Sequence, residues 1–394
     1  MSKFSEITAS LSGQPMFQIL ERAKSLEAEG TRVFHLEIGD PDFASPDEAS
    51  MAAKAAIDQG FTKYVQSSGI PELKDACARI TQKSRKFLPR HDQILVTSGA
   101  NIQIYLAVLA LVDPGDEVII PDPAFVSYEA IIKSVRGVAK KVLLRESNLF
   151  QLDPSEVEAQ ITSKTKLIII NSPNNPTGSV LSSEKIKALY AVAEKHDIYI
   201  LSDEVYGRMI YSDSVSGFYS PCFIDSCQER TILVHSLSKT YSMTGWRIGA
   251  VTGPSDIIRI MSLLYETITS CTPPFIQKAA IAAINNSNDY TSKMLAIYES
   301  RRNLFCKLLG DIPRVSCIRP EGAFYAFVNI KSFGIPSVEF GFNLLNKYGV
   351  ASCPGSYFGA NGEGYIRFCF ATSSDNIASA MERLNSCVKD LVEY

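Results

Sequence analysis

Histidine is scarce in this 394-residue sequence: His35, His91, His196 and His235 are too scattered for HExxH or any other zinc spacing. A chain of this size with so little imidazole is not expected to rely on histidine or a bound metal. If it is an enzyme, its reactive group is expected to be brought in. An excess of one charge is also missing, since 39 Lys+Arg against 42 Asp+Glu leave a net charge of −3. That balance gives no electrostatic footprint for nucleic acid or an anionic membrane. No apolar run approaches the roughly 18 residues of a membrane span, and the first ten residues are too polar for a secretory signal. The nine cysteines include no CxxC, which fits buried thiols in a reducing, cytoplasmic setting better than a disulfide framework. Neither GxGxxG nor GxxxxGK[ST] is present, so dinucleotide and P-loop folds lack their fingerprints.

What is present is an ordinary globular composition, 46% apolar, with alternating helix and strand signals. Ser45-Pro46-Asp47-Glu48 reads as an N-cap serine, a first-turn proline and a capping-box glutamate, predicting a helix to about Gln59. Ile70-Pro71-Glu72 opens another. Residues 94–97 form a short strand that turns through Ser98-Gly99-Ala100-Asn101 into an apolar helix ending at Val112. Further strands are expected at 117–121, 166–170, 198–201 and 231–235, with a helix from about Ser182 to His196. This alternation predicts an α/β fold with a mainly parallel sheet sandwiched by helices. Beyond Pro254 come long helices, roughly 274–286 and 289–310, then strands at 323–330 and 365–370 with a helix between and one after. The simplest division is a large domain over 45–285 and a smaller α/β domain assembled from 1–44 and 286–394.

Ligands of parallel sheets sit at the carboxyl ends of strands, and four strand ends here carry suggestive residues. Ser98-Gly99-Ala100 opens a helix whose N–H groups could hold a phosphate, although taken alone it is better explained as an ordinary strand–helix turn. Strand 166–170 runs into Asn171-Ser172-Pro173-Asn174-Asn175-Pro176-Thr177-Gly178, a stiff turn unusually rich in polar groups. Strand 198–201 ends in Ser202-Asp203-Glu204-Val205-Tyr206, where Asp203 is either a desolvated functional acid or a helix cap. Strand 231–235 leads to Ser236-Leu237-Ser238-Lys239-Thr240 and on to Gly245-Trp246-Arg247-Ile248-Gly249. A lysine held in such a pocket can lose its proton and form a Schiff base with a carbonyl.

These motifs, in this order and spacing, resemble the class I/II pyridoxal-phosphate aminotransferases of fold type I. The likeness runs from Gly39-Asp40-Pro41-Asp42-Phe43 to Arg367. It implies pyridoxal 5′-phosphate as cofactor and Lys239 as the Schiff-base lysine that also moves the substrate proton. Asp203 would pair with the pyridine nitrogen, and Tyr206 and Asn175 with the ring's phenolic oxygen. Ser98, Gly99, Ala100, Ser236 and Arg247 would form the phosphate cup, assisted by Ser238, with Phe125 stacked on the ring where better-known aspartate enzymes carry tryptophan. Arg367 would grip the substrate α-carboxylate, with Asn175 beside it and the Gly39 backbone closing over the substrate. Tyr64 would reach the phosphate of a neighbouring subunit's cofactor, which implies a homodimer.

The expected reaction is ping-pong transfer of an amino group from an α-amino acid to a 2-oxo acid such as 2-oxoglutarate. Residues 260–272, where one subgroup of dicarboxylate specialists carries an arginine, hold no Arg or Lys, and the lysine position of another subgroup is Asn101, so the cation that such specialists use is not found. Broad, neutral, aromatic or aspartate donors are therefore expected. The same scaffold also carries β-lyases acting on sulfur amino acids, cyclopropane-forming synthases and cofactor-sensing regulators, and fold alone does not separate these.

Overall fold

The computed structural model describes residues 4–392 apart from 6, 9–12 and 287. After a helix at Met16–Ala28 comes a short strand, β1 (Phe34–His35), which lies outside the main sheet. The main sheet has seven strands: β2 (Ile94–Thr97), β3 (Glu117–Asp122), β4 (Val138–Leu143), β5 (Thr165–Asn171), β6 (Tyr199–Asp203), β7 (Thr231–Ser236) and β8 (Gly249–Thr252). Their spatial order is β2-β8-β7-β6-β5-β3-β4. Neighbours run parallel except at β8, which is antiparallel to both β2 and β7.

The sequence makes these strands continuous apolar runs because helices cover both faces. Ile168 and Ile170 of β5 pack with Ile186 and Leu189 of the helix Ser183–Lys195 on one side. Leu167 and Ile169 point the other way, into a layer with Leu106 and Val108 of the helix Ala100–Leu111 and Met261 and Tyr265 of the helix Ser255–Thr269. Strand β8 and the helix Ser255–Thr269 were not expected. The first is only four residues long and reads Gly-Ala-Val-Thr, too short for a periodic signal. The second buries Ile257, Ile258, Met261 and Tyr265, a helical spacing that follows directly on Pro254.

A second sheet, antiparallel and of four strands, has the order β12 (Cys353–Pro354), β13 (Tyr365–Cys369), β10 (Tyr325–Asn329) and β9 (Ser316–Cys317). Long helices at Asn288–Gly310 and Ser374–Val392 pack against it through Tyr298, Phe305, Ile377 and Leu384. Strand β1 pairs in parallel with β11 (Val350–Ala351), tying the beginning of the chain to this C-terminal unit. The expected capping box at Ser45 does not form. The helix there spans Asp47–Asp58 with Pro46 at its N-cap position, while Ser45 Oγ donates to the Ser242 carbonyl and accepts the Trp246 indole N–H. The hydroxyl is used to hold the chain to the loop after Lys239 instead.

Register places the polar strand ends side by side. Asn171 pairs with Asp203 across β5 and β6, and Asp203 with Val234 across β6 and β7. Behind them Glu204 is buried in an ion pair with Arg85, whose Nη2 lies 2.7 Å from Oε2. Ser202 and Ser220 donate to the other carboxylate oxygen. Removing one partner strands a buried charge, so Arg85→Ala should lower stability by about 3–5 kcal/mol. Urea unfolding followed by circular dichroism reads this directly, and an unchanged midpoint would exclude a structural role for the pair.

Candidate active site

A cavity of about 460 Å³ opens at the carboxyl ends of β5, β6 and β7. Eleven of the residues singled out from sequence line it: Gly39, Ala100, Phe125, Asn175, Asp203, Tyr206, Ser236, Ser238, Lys239, Arg247 and Arg367. Three do not. Tyr64 is 87% exposed on a separate surface with Ser67, Glu266 and Ser270. Ser98 donates its backbone N–H to the Tyr265 hydroxyl at 3.1 Å, its own hydroxyl lies 2.9 Å from the same oxygen, and it faces a neighbouring depression. Gly99 approaches through its backbone. Its φ is +85°, and an added Cβ would lie 2.6 Å from Arg247 Nη2, so only glycine lets the guanidinium rest against the helix start.

Lys239 is presented by the short helix Leu237–Thr240, which Ser236 caps by accepting the Ser238 N–H at 3.1 Å. Its ammonium donates to the Gly39 carbonyl. Burial pulls its pKa down to about 8, with Asp40 and Cys369 opposing and Arg367 and Arg247 adding to the fall. A side chain at Gly39 would collide with the Tyr325 hydroxyl, so this close passage of the chain also requires glycine.

Asp203 is a buried carboxylate without an ion pair among the described residues. Its Oδ2 accepts the Tyr128 hydroxyl at 2.6 Å and its Oδ1 the Val205 N–H at 3.2 Å. Burial raises its pKa to about 6, although both hydrogen bonds pull it down. The group lacks a cationic partner. A protonated ring nitrogen placed against it would supply one.

At the cavity's far wall Arg367 is 1% exposed on β13. Its guanidinium lies between the Tyr325 and Phe358 rings, 4.6 and 4.8 Å from their centroids. Nη1 donates to Asn175 Oδ1 at 3.1 Å, while Nη2 meets the Glu37 carbonyl and Cys353 Sγ. Its Nε is buried with no partner. Asn175 is itself fixed by its backbone N–H donating to Asn171 Oδ1 at 2.9 Å. The Tyr206 hydroxyl lies 2.7 Å from that of Tyr325.

Sequence reasoning missed Tyr128 and Tyr325. Both are fully buried tyrosines whose hydroxyls require partners. Tyr325 sits inside an apolar strand that reads as core, and Tyr128 follows Phe125 by one helical turn. Gln14, Met16, Phe17 and Ile38 also line the cavity and had no signal. Among the described residues no cluster of His, Cys, Asp or Glu could hold a metal, and no described helix is long and apolar enough to cross a membrane.

A basic helix start with hydroxyls, an amine of lowered pKa, a cation-free buried carboxylate and a guanidinium with a spare donor fit a phosphorylated pyridine aldehyde and an amino acid together. The family model for aminotransferases of class I and II matches residues 31–384. An aspartate aminotransferase of Pyrococcus horikoshii is 40% identical over 374 residues, 94% of each chain. An asparagine–oxo-acid transaminase of Streptococcus mutans is 39% identical over 371 residues, 93% of this chain and 94% of that one. The structure of the Thermus thermophilus aspartate aminotransferase with maleate superposes with a TM-score of 0.93 at 32% identity, covering 98% of this chain and 100% of the other. The chain belongs to the class I and II aminotransferases and is a pyridoxal-5′-phosphate-dependent enzyme that takes amino groups from amino acids.

Proposed function

We propose that the cavity is the single site for both halves of the transamination, with Lys239, Asp203 and Arg367 as its three working charges. One observation carries this reading: an amine of lowered pKa, a carboxylate without a cation and a guanidinium with an unpartnered donor line one cavity. Bound there, pyridoxal phosphate supplies a carbonyl that condenses with amines and a ring that takes up the electrons left at Cα.

Lys239 would be the amine that holds the cofactor and the base that moves the Cα proton. A pKa near 8 suits both tasks, since the group is neutral often enough to attack and basic enough to accept a proton. Asp203 holds negative charge against the ring nitrogen, with Tyr128 keeping the carboxylate oriented and ionised. Gly99 and Ala100, at the start of a twelve-residue helix, hold the phosphate with Ser236, Ser238 and Arg247. Ser98 joins that cup through its place in the turn. Phe125 would stack on the ring, and Tyr206 and Asn175 would serve its phenolic oxygen. Arg367 binds the α-carboxylate, and Gly39 closes over the substrate.

The cavity lining left for the donor's side chain includes Gln14, Met16, Phe17, Ile38 and Asn101, none of them cationic. Neutral and aromatic donors are therefore proposed alongside aspartate, with 2-oxoglutarate as acceptor. The protein is proposed to be a cytoplasmic homodimer, with Tyr64 reaching the neighbouring site. Its exposure, and that of Phe61, Leu263 and Ile268, supports a surface that a second copy covers. The proposed domains, 45–285 and 1–44 with 286–394, follow the division between the seven-stranded and four-stranded sheets.

Lys239→Ala should abolish turnover and let pyridoxal phosphate leave on dialysis; transamination at the native rate in that variant would refute the assignment. Arg367→Ala should raise KM for amino acid and oxo acid alike by about 10- to 100-fold, the loss of charge-assisted hydrogen bonds worth roughly 1.5–3 kcal/mol. Steady-state kinetics with unchanged KM for both would exclude its carboxylate role. Below a pKa of about 8 the Lys239 amine is protonated and cannot attack. Capture of pyridoxal phosphate by the apo-protein should therefore quicken about tenfold per pH unit up to that value and level off above it. A rate still rising in that proportion to pH 10 would show an ordinary lysine.

A further inference from the structure

We infer that Cys222 and Cys227 are a reversible dithiol–disulfide pair, a covalent modification site outside the active cavity. Their sulfurs lie 3.1 Å apart, and neither residue has any exposed surface. No other cysteine pair is hydrogen-bonded among the described residues. All nine cysteines are free, so the form described is the dithiol.

The contact is built by the backbone. Cys222–Asp225 form a single helical turn, closed by the Ser226 N–H donating to the Cys222 carbonyl at 2.9 Å. Ser226 (φ 52°) and Cys227 (φ 54°) then both take the left-handed conformation, which folds the chain back and carries the second thiol over the first. Two residues in this region, neither of them glycine, need outside support. Asp225 provides it. Its carboxylate accepts the N–H groups of Cys227, Arg230 and Thr231 at 2.9–3.1 Å, and the Gln93 amide donates to the Cys227 carbonyl at 3.1 Å. A disulfide bond is about 2.05 Å long, so closure brings the sulfurs about 1 Å nearer.

Packing decides the order of events. Leu233 and Phe87 cover the pair, and burial, reinforced by the Cys222 thiol, pushes the Cys227 pKa well above the usual thiol range. Exchange therefore runs through local opening of the turn. One thiolate attacks a sulfur of glutathione disulfide, releasing one glutathione thiolate and leaving a mixed disulfide. The other cysteine, held at contact distance, then attacks the protein sulfur of that adduct and releases the second glutathione. The two protein thiols lose two protons and two electrons, and the two glutathione thiols carry them away. Because the second thiol is already in place, closure outruns further oxidation of a single sulfur to acids that thiols cannot reverse.

The test exposes holoenzyme to glutathione disulfide for as long as the amides of 222–227 take to complete hydrogen exchange, which guarantees that the turn has opened. Trapping in acid, alkylation in denaturant and peptide mapping then count the thiols. The expected result is loss of two of the nine free thiols and a linked Cys222–Cys227 peptide two hydrogens lighter, both restored by dithiothreitol. Cys227→Ser should give no linked peptide and stop at a glutathione adduct on Cys222, whereas Cys77→Ser should behave as wild type. Nine thiols still free once exchange is complete, linkage through other cysteines, or a lasting glutathione adduct on Cys222 or Cys227 of the wild-type protein would each overturn the proposal.

Discussion

Among the described residues Asp203 is a carboxylate buried without a cation, and the geometry of the cavity turns on that constraint. Taking such a group out of water costs several kcal/mol when no counter-charge follows it. Here the compensation is limited to the Tyr128 hydroxyl and the Val205 N–H, and the pKa still rises to about 6. Arg85 could have neutralised the region. Its guanidinium is committed instead to Glu204, one residue along and on the far side of the chain. The arrangement leaves an acid open to a cationic partner, which is what a protonated heterocycle would provide.

The parallel sheet explains how the opposite requirements of Asp203 and Lys239 meet within one cavity. Adjacent strands β5, β6 and β7 end together, so Asn171, Asp203 and Ser236 sit at one edge, and the short turn after Ser236 projects Lys239 beside them. Low polarity lowers the amine's pKa and raises the acid's by the same mechanism. The second sheet supplies what the first cannot. Strand β13 brings Arg367 to the far wall, and Asn175 joins the two sides by holding Nη1 while its own backbone is anchored to Asn171.

Much of this was legible in the sequence because parallel strands announce themselves as apolar runs and their polar ends stand out. Lys239, Asp203 and Asn175 each follow such a run directly. Arg367 does not stand out by pattern, since a strand arginine beside apolar neighbours reads as one end of a surface ion pair; its register with the family motifs identifies it. What stayed hidden depends on tertiary packing. Tyr128 and Tyr325 look like core aromatics until the groups that meet their hydroxyls are known. Strand β8 reverses direction in four residues, and Ser45 gives up a helix cap for a contact nearly two hundred positions away. The Cys222–Cys227 contact needs two consecutive left-handed residues that no local motif signals.

Transamination differs from the lyase chemistry that the same scaffold can host in where the nitrogen goes. In the proposed transamination the nitrogen stays with the cofactor, whereas a lyase would expel a side-chain group and release the nitrogen as ammonia. The decisive measurement mixes holoenzyme with a single amino donor and no oxo acid, following the visible spectrum, ammonia and keto acid together. A transaminase should release one equivalent of the matching oxo acid per site, lose the absorbance of the aldehyde form and stop until 2-oxoglutarate is added. Continued release of ammonia and pyruvate without any acceptor would contradict it.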